Sequence, residues 1–207
     1  MSPDAAGQSP AGGDGTGPSP SDEALVRRVL EGHSDDYGLL VWRYQERLHR
    51  FALGMVGDPD AAADLVQDAF VRAYRKLDSC TDPSGFHAWL FQIVRNRCRD
   101  FLKDLRRSHE ALEDHPELVS PRPGPASRVE RGEVRRALED ALAVLPASQR
   151  EAFLLKHLDD HTYREISEML NVSMSAAKMR VHRARDMLCS HIDRKDVTLS
   201  EVSSFSD

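Results

Sequence analysis

The 207 residues carry 28 Lys and Arg against 34 Asp and Glu, a formal net charge of −6, with 40% hydrophobic and 6% aromatic residues. Few aromatics beside abundant Leu, Val and Ala point to an all-α chain of small helical domains rather than a large β structure. No window approaches the ~18 uninterrupted apolar residues of a membrane span, no export signal opens the chain, and Cys80, Cys98 and Cys189 form no C-x-x-C pair, so a cytoplasmic protein without structural zinc, disulfide frame or cofactor is expected.

Met1 to Pro20 is rich in Gly, Pro, Ser and Ala and lacks large apolar residues, so residues 1–21 read as a disordered tail. Ser21 can cap a short helix ending near Gly32. Ser34 can start a longer one, with Leu39, Leu40, Tyr44, Leu48, Phe51 and Met55 as its core face. Gly57 breaks that helix, and Asp58-Pro59 supplies a cap and a first-turn proline for a third, running to about Leu77. In the third helix Ala62, Leu65, Val66, Ala69, Phe70, Ala73, Tyr74 and Leu77 share the packing side. Asp64, Gln67, Asp68, Val71, Arg72 and Arg75 lie on the other. Mixed charge around an exposed Val71 suits a protein partner better than DNA, although spacing alone also allows a solvated, salt-bridged face.

After a loop from Asp78 to Gly85, a long helix opens at Phe86. Leu90, Val94, Cys98, Phe101 and Leu105 make one apolar stripe, and Trp89, Gln92, Asn96, Arg99 and Lys103 make a second almost opposite it. An aromatic plane beside amides and cations on the face turned from the core suits single-stranded nucleic acid, with stacking on Trp89 and cations along phosphates. Burial of Trp89 against a neighbouring helix is the plainer alternative.

Acidic residues and the run Ser120-Pro121-Arg122-Pro123-Gly124-Pro125 make residues 108–127 an extended tether between two helical domains, residues 22–107 and 128–192. A helix from about Arg128 to Leu145 is ended by Pro146. Ser148 can cap the next, with Ala152, Phe153, Leu155 and Leu158 apolar. Thr162 and Glu165 form a capping-box pattern ahead of Ile166 and Leu170, Asn171 suits a left-handed turn, and Ser173 can cap a further helix. In that helix Met174, Ala177, Val181, Ala184 and Leu188 share a narrow packing arc, while Ser175, Lys178, Met179, His182, Arg183 and Arg185 point elsewhere. This is the layout of a helix-turn-helix whose second helix enters the major groove, with an ordinary bundle helix carrying a solvated charged face as the plainer alternative. Residues 193–207 are polar and read as a frayed tail.

The overall acidity conceals two basic segments. In Phe86 to Arg107, Arg95, Arg97, Arg99, Lys103, Arg106 and Arg107 outnumber Asp100 and Asp104. In Ser175 to Leu188, Lys178, Arg180, Arg183 and Arg185 face only Asp186. The nine histidines are scattered and suggest no metal-ligand cluster.

In this order the parts resemble the sigma factors of bacterial RNA polymerase, and among them the compact extracytoplasmic-function (ECF) group, over roughly Asp22 to Ile192. Asp64 to Tyr74 is similar to the family's polymerase-binding helix, Phe86 to Asn96 to its promoter −10 helix, and Leu145 to Phe153 and Tyr163 to Ser167 to its region-4 signatures. Val181 to Arg185 matches the end of its −35 recognition helix. The resemblance implies a non-enzymatic initiation factor. Its first domain would dock through the Asp64 to Arg75 face on the clamp coiled coil of the β′ subunit, and its second on the flap of the β subunit. Trp89 and Asn96 match the −10 reader, with the Asp78 to Gly85 loop as pocket for a flipped base. Lys178, Met179, Arg180, His182 and Arg183 match the −35 contacts, with Arg185 on phosphate. An anti-sigma partner and no direct membrane insertion are implied as well. Ser175-Ala176-Ala177 stands where relatives commonly have Gly-Thr-Val, so the −35 sequence cannot be taken over by analogy. A free-standing helix-turn-helix repressor would need a dimer seam and a sensor domain, and a hydrolase would need a phosphate loop or nucleophile elbow. Neither pattern is found.

Overall fold

The computed structural model describes residues 19–113, 140–158 and 160–203, and among them every regular element is helical. We number the helices α1 (Asp22–Leu30), α2 (Tyr37–Val56), α3 (Pro59–Arg75), α4 (Phe86–Glu113), α5 (Ala147–Leu158), α6 (Tyr163–Leu170) and α7 (Met174–Ser203). The predicted N-terminal tail up to residue 18 and residues 114–127 of the acidic, proline-rich tether fall outside the described residues. Residues 108–113, expected to be extended tether, are instead helical, because α4 runs on to Glu113. Most of the helix expected from Arg128 also falls outside the described residues. Its end, residues 140–143, is helical.

Local chemistry sets the boundaries. Ser21 accepts a hydrogen bond from the Ala24 backbone at 3.2 Å and so caps α1. A short 3-10 turn, Ser34–Asp36, leads into α2, and α2 ends at Gly57, whose φ of 73° is the left-handed conformation glycine adopts freely. The Asp58 carboxylate accepts from the backbones of Asp60 and Ala61, and Pro59 occupies the first turn of α3, where its missing N–H costs nothing.

In the N-terminal half, α2, α3 and α4 pack together around Leu40, Leu48, Phe51, Met55, Ala69, Phe86, Leu90 and Val94. In the C-terminal half α7 packs on α5 and α6. The two halves also meet, α2 against α5 and α4 against α6. Leu154 of α5 sits over Gly54 of α2 so closely that a β-carbon at position 54 would lie 2.7 Å from its Cδ2. The cores therefore join into one cluster.

Four predicted packing residues lie outside it. Leu39, Tyr74, Met174 and Leu158 are all substantially exposed, each at the margin of its helix's apolar arc, and Tyr74 is covered in part by the ring of Tyr37 in α2, centroids 5.0 Å apart. In α5 Leu154 joins Leu155 as a buried leucine and Leu158 does not, since the chain buries position 154 against Gly54 of α2. On α4, Phe101 and Leu105 are half-buried, unlike Leu90, Val94 and Cys98. The frayed C-terminus is also corrected: α7 continues as helix to Ser203.

Candidate nucleic-acid and protein interfaces

The turn between α6 and α7 is built as its residues dictate. Glu165 N–H donates to Thr162 Oγ1 at 3.3 Å, and the Thr162 backbone N–H donates to Glu165 Oε2 at 2.7 Å, closing the capping box. The Thr162 hydroxyl, which also donates to Glu165 Oε2 at 2.7 Å, and the Thr162 N–H together hold the Glu165 carboxyl below the ordinary range. Asn171 takes a φ of 51°, and Ser173 Oγ accepts from the Ala176 N–H at 3.2 Å to start α7. Ala177, Val181, Ala184 and Leu188 are then buried against α5 and α6. Ser175, Lys178, Met179, His182, Arg183 and Arg185 remain exposed along one outer surface. His182 Nδ1 lies 2.9 Å from Asp186 Oδ2, which orients its ring across that surface. Arg180 departs from this group: half-buried, it is turned inward and acts electrostatically on Arg95 and Glu151.

On α4 the predicted second stripe is split. Trp89 is half-buried, its ring tilted on Phe86 with centroids 5.9 Å apart. Asn96 and Lys103 are exposed. Gln92 and Arg99 reach into the C-terminal half. Gln92 Nε2 donates to the Glu168 carbonyl at 3.3 Å. The Arg99 guanidinium grips the Glu151 carboxylate through two nitrogens, Nη2 to Oε2 at 2.8 Å and Nε to Oε1. Between them Arg95 donates to the Met169 carbonyl at 3.4 Å and to Asn96 Oδ1 at 3.3 Å. The Asp78 to Gly85 loop ahead of α4 winds into two 3-10 turns. Asp82 fixes the second by accepting from the Ser84 hydroxyl at 2.6 Å and the Ser84 N–H at 3.0 Å.

Neither Glu151 nor Arg95 was among the predicted site residues. Glu151 has no accessible surface, and burial pushes its carboxyl up against the opposing pull of Arg99, Arg95 and Arg180. A signal existed: position 151 shares the buried arc of α5 with Leu154 and Leu155, three and four residues on.

The third surface lies between α2 and α3. It is a groove of about 1200 Å³, lined in part by Tyr37, Val41, His49, Phe70, Val71 and Tyr74. Of the residues predicted to face a protein, Gln67, Val71 and Arg75 border it. Asp64 and Arg72 are exposed beside it, and Asp68 is half-buried toward α4, where it accepts from Arg97 at 2.6 Å and from Arg72 at 2.7 Å. Against some desolvation, those two guanidinium groups hold the Asp68 carboxyl below the ordinary range. Among the described residues no group of three or more His, Cys, Asp or Glu gathers as a metal would need, and no helix is long and apolar enough to cross a membrane.

Residues 40–108 match the family described as Sigma-70 region 2, and residues 135–188 match Sigma-70, region 4. The chain is 30% identical over 177 residues to the ECF RNA polymerase sigma-E factor of Escherichia coli K12, an alignment spanning 81% of this chain and 92% of that protein. It is 27% identical over 172 residues to the ECF RNA polymerase sigma factor SigW of Bacillus subtilis, covering 79% and 92%. Among solved structures, CnrH in complex with the cytosolic domain of CnrY superposes with a TM-score of 0.65 at 28% identity, covering 84% of this chain and 97% of that one. RpoE of Bartonella quintana, in complex with the anti-sigma factor NepR, gives 0.58 at 28% identity, covering 76% and 97%.

Proposed function

The chain belongs to the sigma-70 family, in its extracytoplasmic-function group of RNA polymerase sigma factors; from that premise we propose how its three surfaces divide the work of initiation. The outer surface of α7 reads the −35 element in the major groove, with Lys178, Met179, His182 and Arg183 toward bases and Arg185 and Ser175 toward the backbone. Arg180, turned inward, is at most an edge contact in the conformation described. The second stripe of α4, whose Gln92 and Arg99 bond to the C-terminal half and whose Asn96 and Lys103 are exposed, reads the −10 element as a single strand. A base stacks on Trp89, Asn96 and Gln92 supply amide donors and acceptors, and Arg99 and Lys103 track the phosphates. The groove between α2 and α3, with Gln67, Val71 and Arg75 on its border and Asp64, Asp68 and Arg72 beside it, takes the clamp coiled coil of the β′ subunit. The C-terminal half rests on the β flap. Residues 22–107 and 128–192 are the two domains.

The chain supplies no bond-making chemistry of its own. Strand opening draws on captured bases, about 1–3 kcal/mol for each one stacked, and on phosphate contacts. The observation that carries the reading is the partition of α7: every small or apolar residue of one arc from Ala177 to Leu188 is buried, and the cations and Met179 opposite are exposed behind a fully capped turn. Regulation by an anti-sigma protein is part of the proposal, supported by the structural similarity to RpoE bound to NepR.

The test is reconstitution. Purified chain with core polymerase should give start-site-specific transcripts from a promoter mapped after forced expression, whereas core polymerase alone should not. Occupancy of DNA by a free-standing dimer, without association with core polymerase, would overturn the assignment.

A further inference from the structure

One of the α7 side chains set most directly opposite the buried arc of Ala177, Val181, Ala184 and Leu188 is apolar: Met179. It is 51% exposed. By helical spacing Lys178 and Arg185 run along one side of it and Arg183 along the other. Two of its neighbours are engaged elsewhere, since the Lys178 ammonium stands 5.8 Å from the centre of the Tyr163 ring and His182 Nδ1 lies 2.9 Å from Asp186 Oδ2. A thioether in the middle of a cationic face gains nothing from phosphate, because both can only accept a hydrogen bond. In the major groove, however, one base carries an apolar group, the 5-methyl of thymine. We propose that Met179 reads a thymine methyl in the −35 element, so that one T·A pair at a fixed place distinguishes the promoters of this chain.

This rests on the assignment of α7 as the −35 reader and adds to it the chemical group that is recognised. The cations beside Met179 draw the helix to any polyanion, and their donors suit guanine, whose O6 and N7 accept. Met179 has no donor to offer, and removing its open half from water is favourable only against another apolar group. It lies in the second turn of α7, within the part of a recognition helix that meets base edges. Ser175, one turn earlier on the same outer face, is small and exposed, which lets the helix sit deep enough in the groove for a methyl contact. The unbranched side chain adapts to the methyl without a fixed rotamer. Burying one methyl group corresponds to about fourfold in affinity.

The test replaces thymine by deoxyuridine, which deletes the methyl and keeps the base pair. Holoenzyme assembled from the full chain and core polymerase is titrated onto duplexes carrying the mapped promoter, each substituted at a single −35 thymine on either strand, and promoter binding is measured. Wild type should lose about fourfold in affinity at one position and little at the others. Met179→Ala places a good helix former at an exposed site, so the fold should be kept. It should bind the unmodified promoter about fourfold less well than wild type and be indifferent to deoxyuridine at that position. Met179→Leu should retain the preference for the methyl. Absence of any methyl-sensitive −35 position, or the same sensitivity in Met179→Ala as in wild type, overturns this inference and leaves α7 as the −35 reader. Unchanged binding after the whole −35 element is scrambled overturns the assignment of α7, and this inference with it.

Discussion

Arg97 of α4 donates its Nε–H to Asp68 of α3 at 2.6 Å. Asp68 sits on the helix assigned to polymerase and Arg97 on the helix assigned to the −10 strand, so one ion pair bridges the two working surfaces of the N-terminal half at the edge of their shared apolar packing. Arg72 shares the same carboxylate oxygen from one turn along α3.

The Arg97–Asp68 pair should show measurable but modest coupling. Side chains with 29% and 38% of their surface exposed are screened by solvent, so a double-mutant cycle of Arg97→Ala and Asp68→Ala should give on the order of 0.5 kcal/mol, shrinking as salt is added. Urea unfolding of the four proteins measures it. A coupling of zero at low salt would mean that the pair adds nothing to the α3–α4 contact.

Trp89→Ala and Asn96→Ala should impair strand opening more than duplex binding. Trp89 rests on Phe86 with part of its ring still accessible, and Asn96 is exposed next to Arg95, so each can engage an unstacked base while contributing little to double-stranded contact. Permanganate reactivity of the −10 thymines, set beside a gel-shift of the closed complex, separates the two steps. Equal loss in both would contradict the role.

The capping box makes the C-terminal half acid-sensitive. The folded Glu165 carboxyl lies below its ordinary value, so its contribution is complete above the unfolded pKa and is lost as pH falls through the lower, folded one. Thr162→Ala should remove about 1 kcal/mol of stability at neutral pH. Glu165→Gln should flatten the acid limb of a stability profile taken from about pH 7 to about pH 3. An unchanged acid limb in Glu165→Gln would assign the acid sensitivity to other carboxylates.

Leu154→Ala and Leu158→Ala should differ sharply, although both are leucines of α5. Leu154 is 3% exposed and lies on Gly54, so truncation should cost about 2–5 kcal/mol. Leu158 is 39% exposed, and its loss should stay within about 0.5 kcal/mol. Thermal melts of the two variants decide it, and similar shifts would mean that α5 packs in the other register.

Legible in the chain alone was whatever neighbouring residues impose on one another. Asp58-Pro59, Thr162 with Glu165, left-handed Asn171 and Ser173 each became the predicted boundary, because a cap is settled within four residues of chain. The outer cations of α7 were legible for the same reason, since a helical arc with Ala177 and Ala184 inside leaves little choice for Lys178 or Arg183.

Periodicity does not say which element arrives to cover a face. Leu39 and Met174 carry core-like side chains but stay exposed at their helix margins, and Tyr74 gains only the edge of Tyr37, whereas Leu154 is buried with a glycine of α2 opposite it. Glu151 makes the same point most clearly. Its place in α5 comes from the chain, but its burial and its hold on Arg99, 52 residues earlier, exist only because two halves distant in sequence close on each other, and long-range burial is a property of that packing rather than of any local pattern.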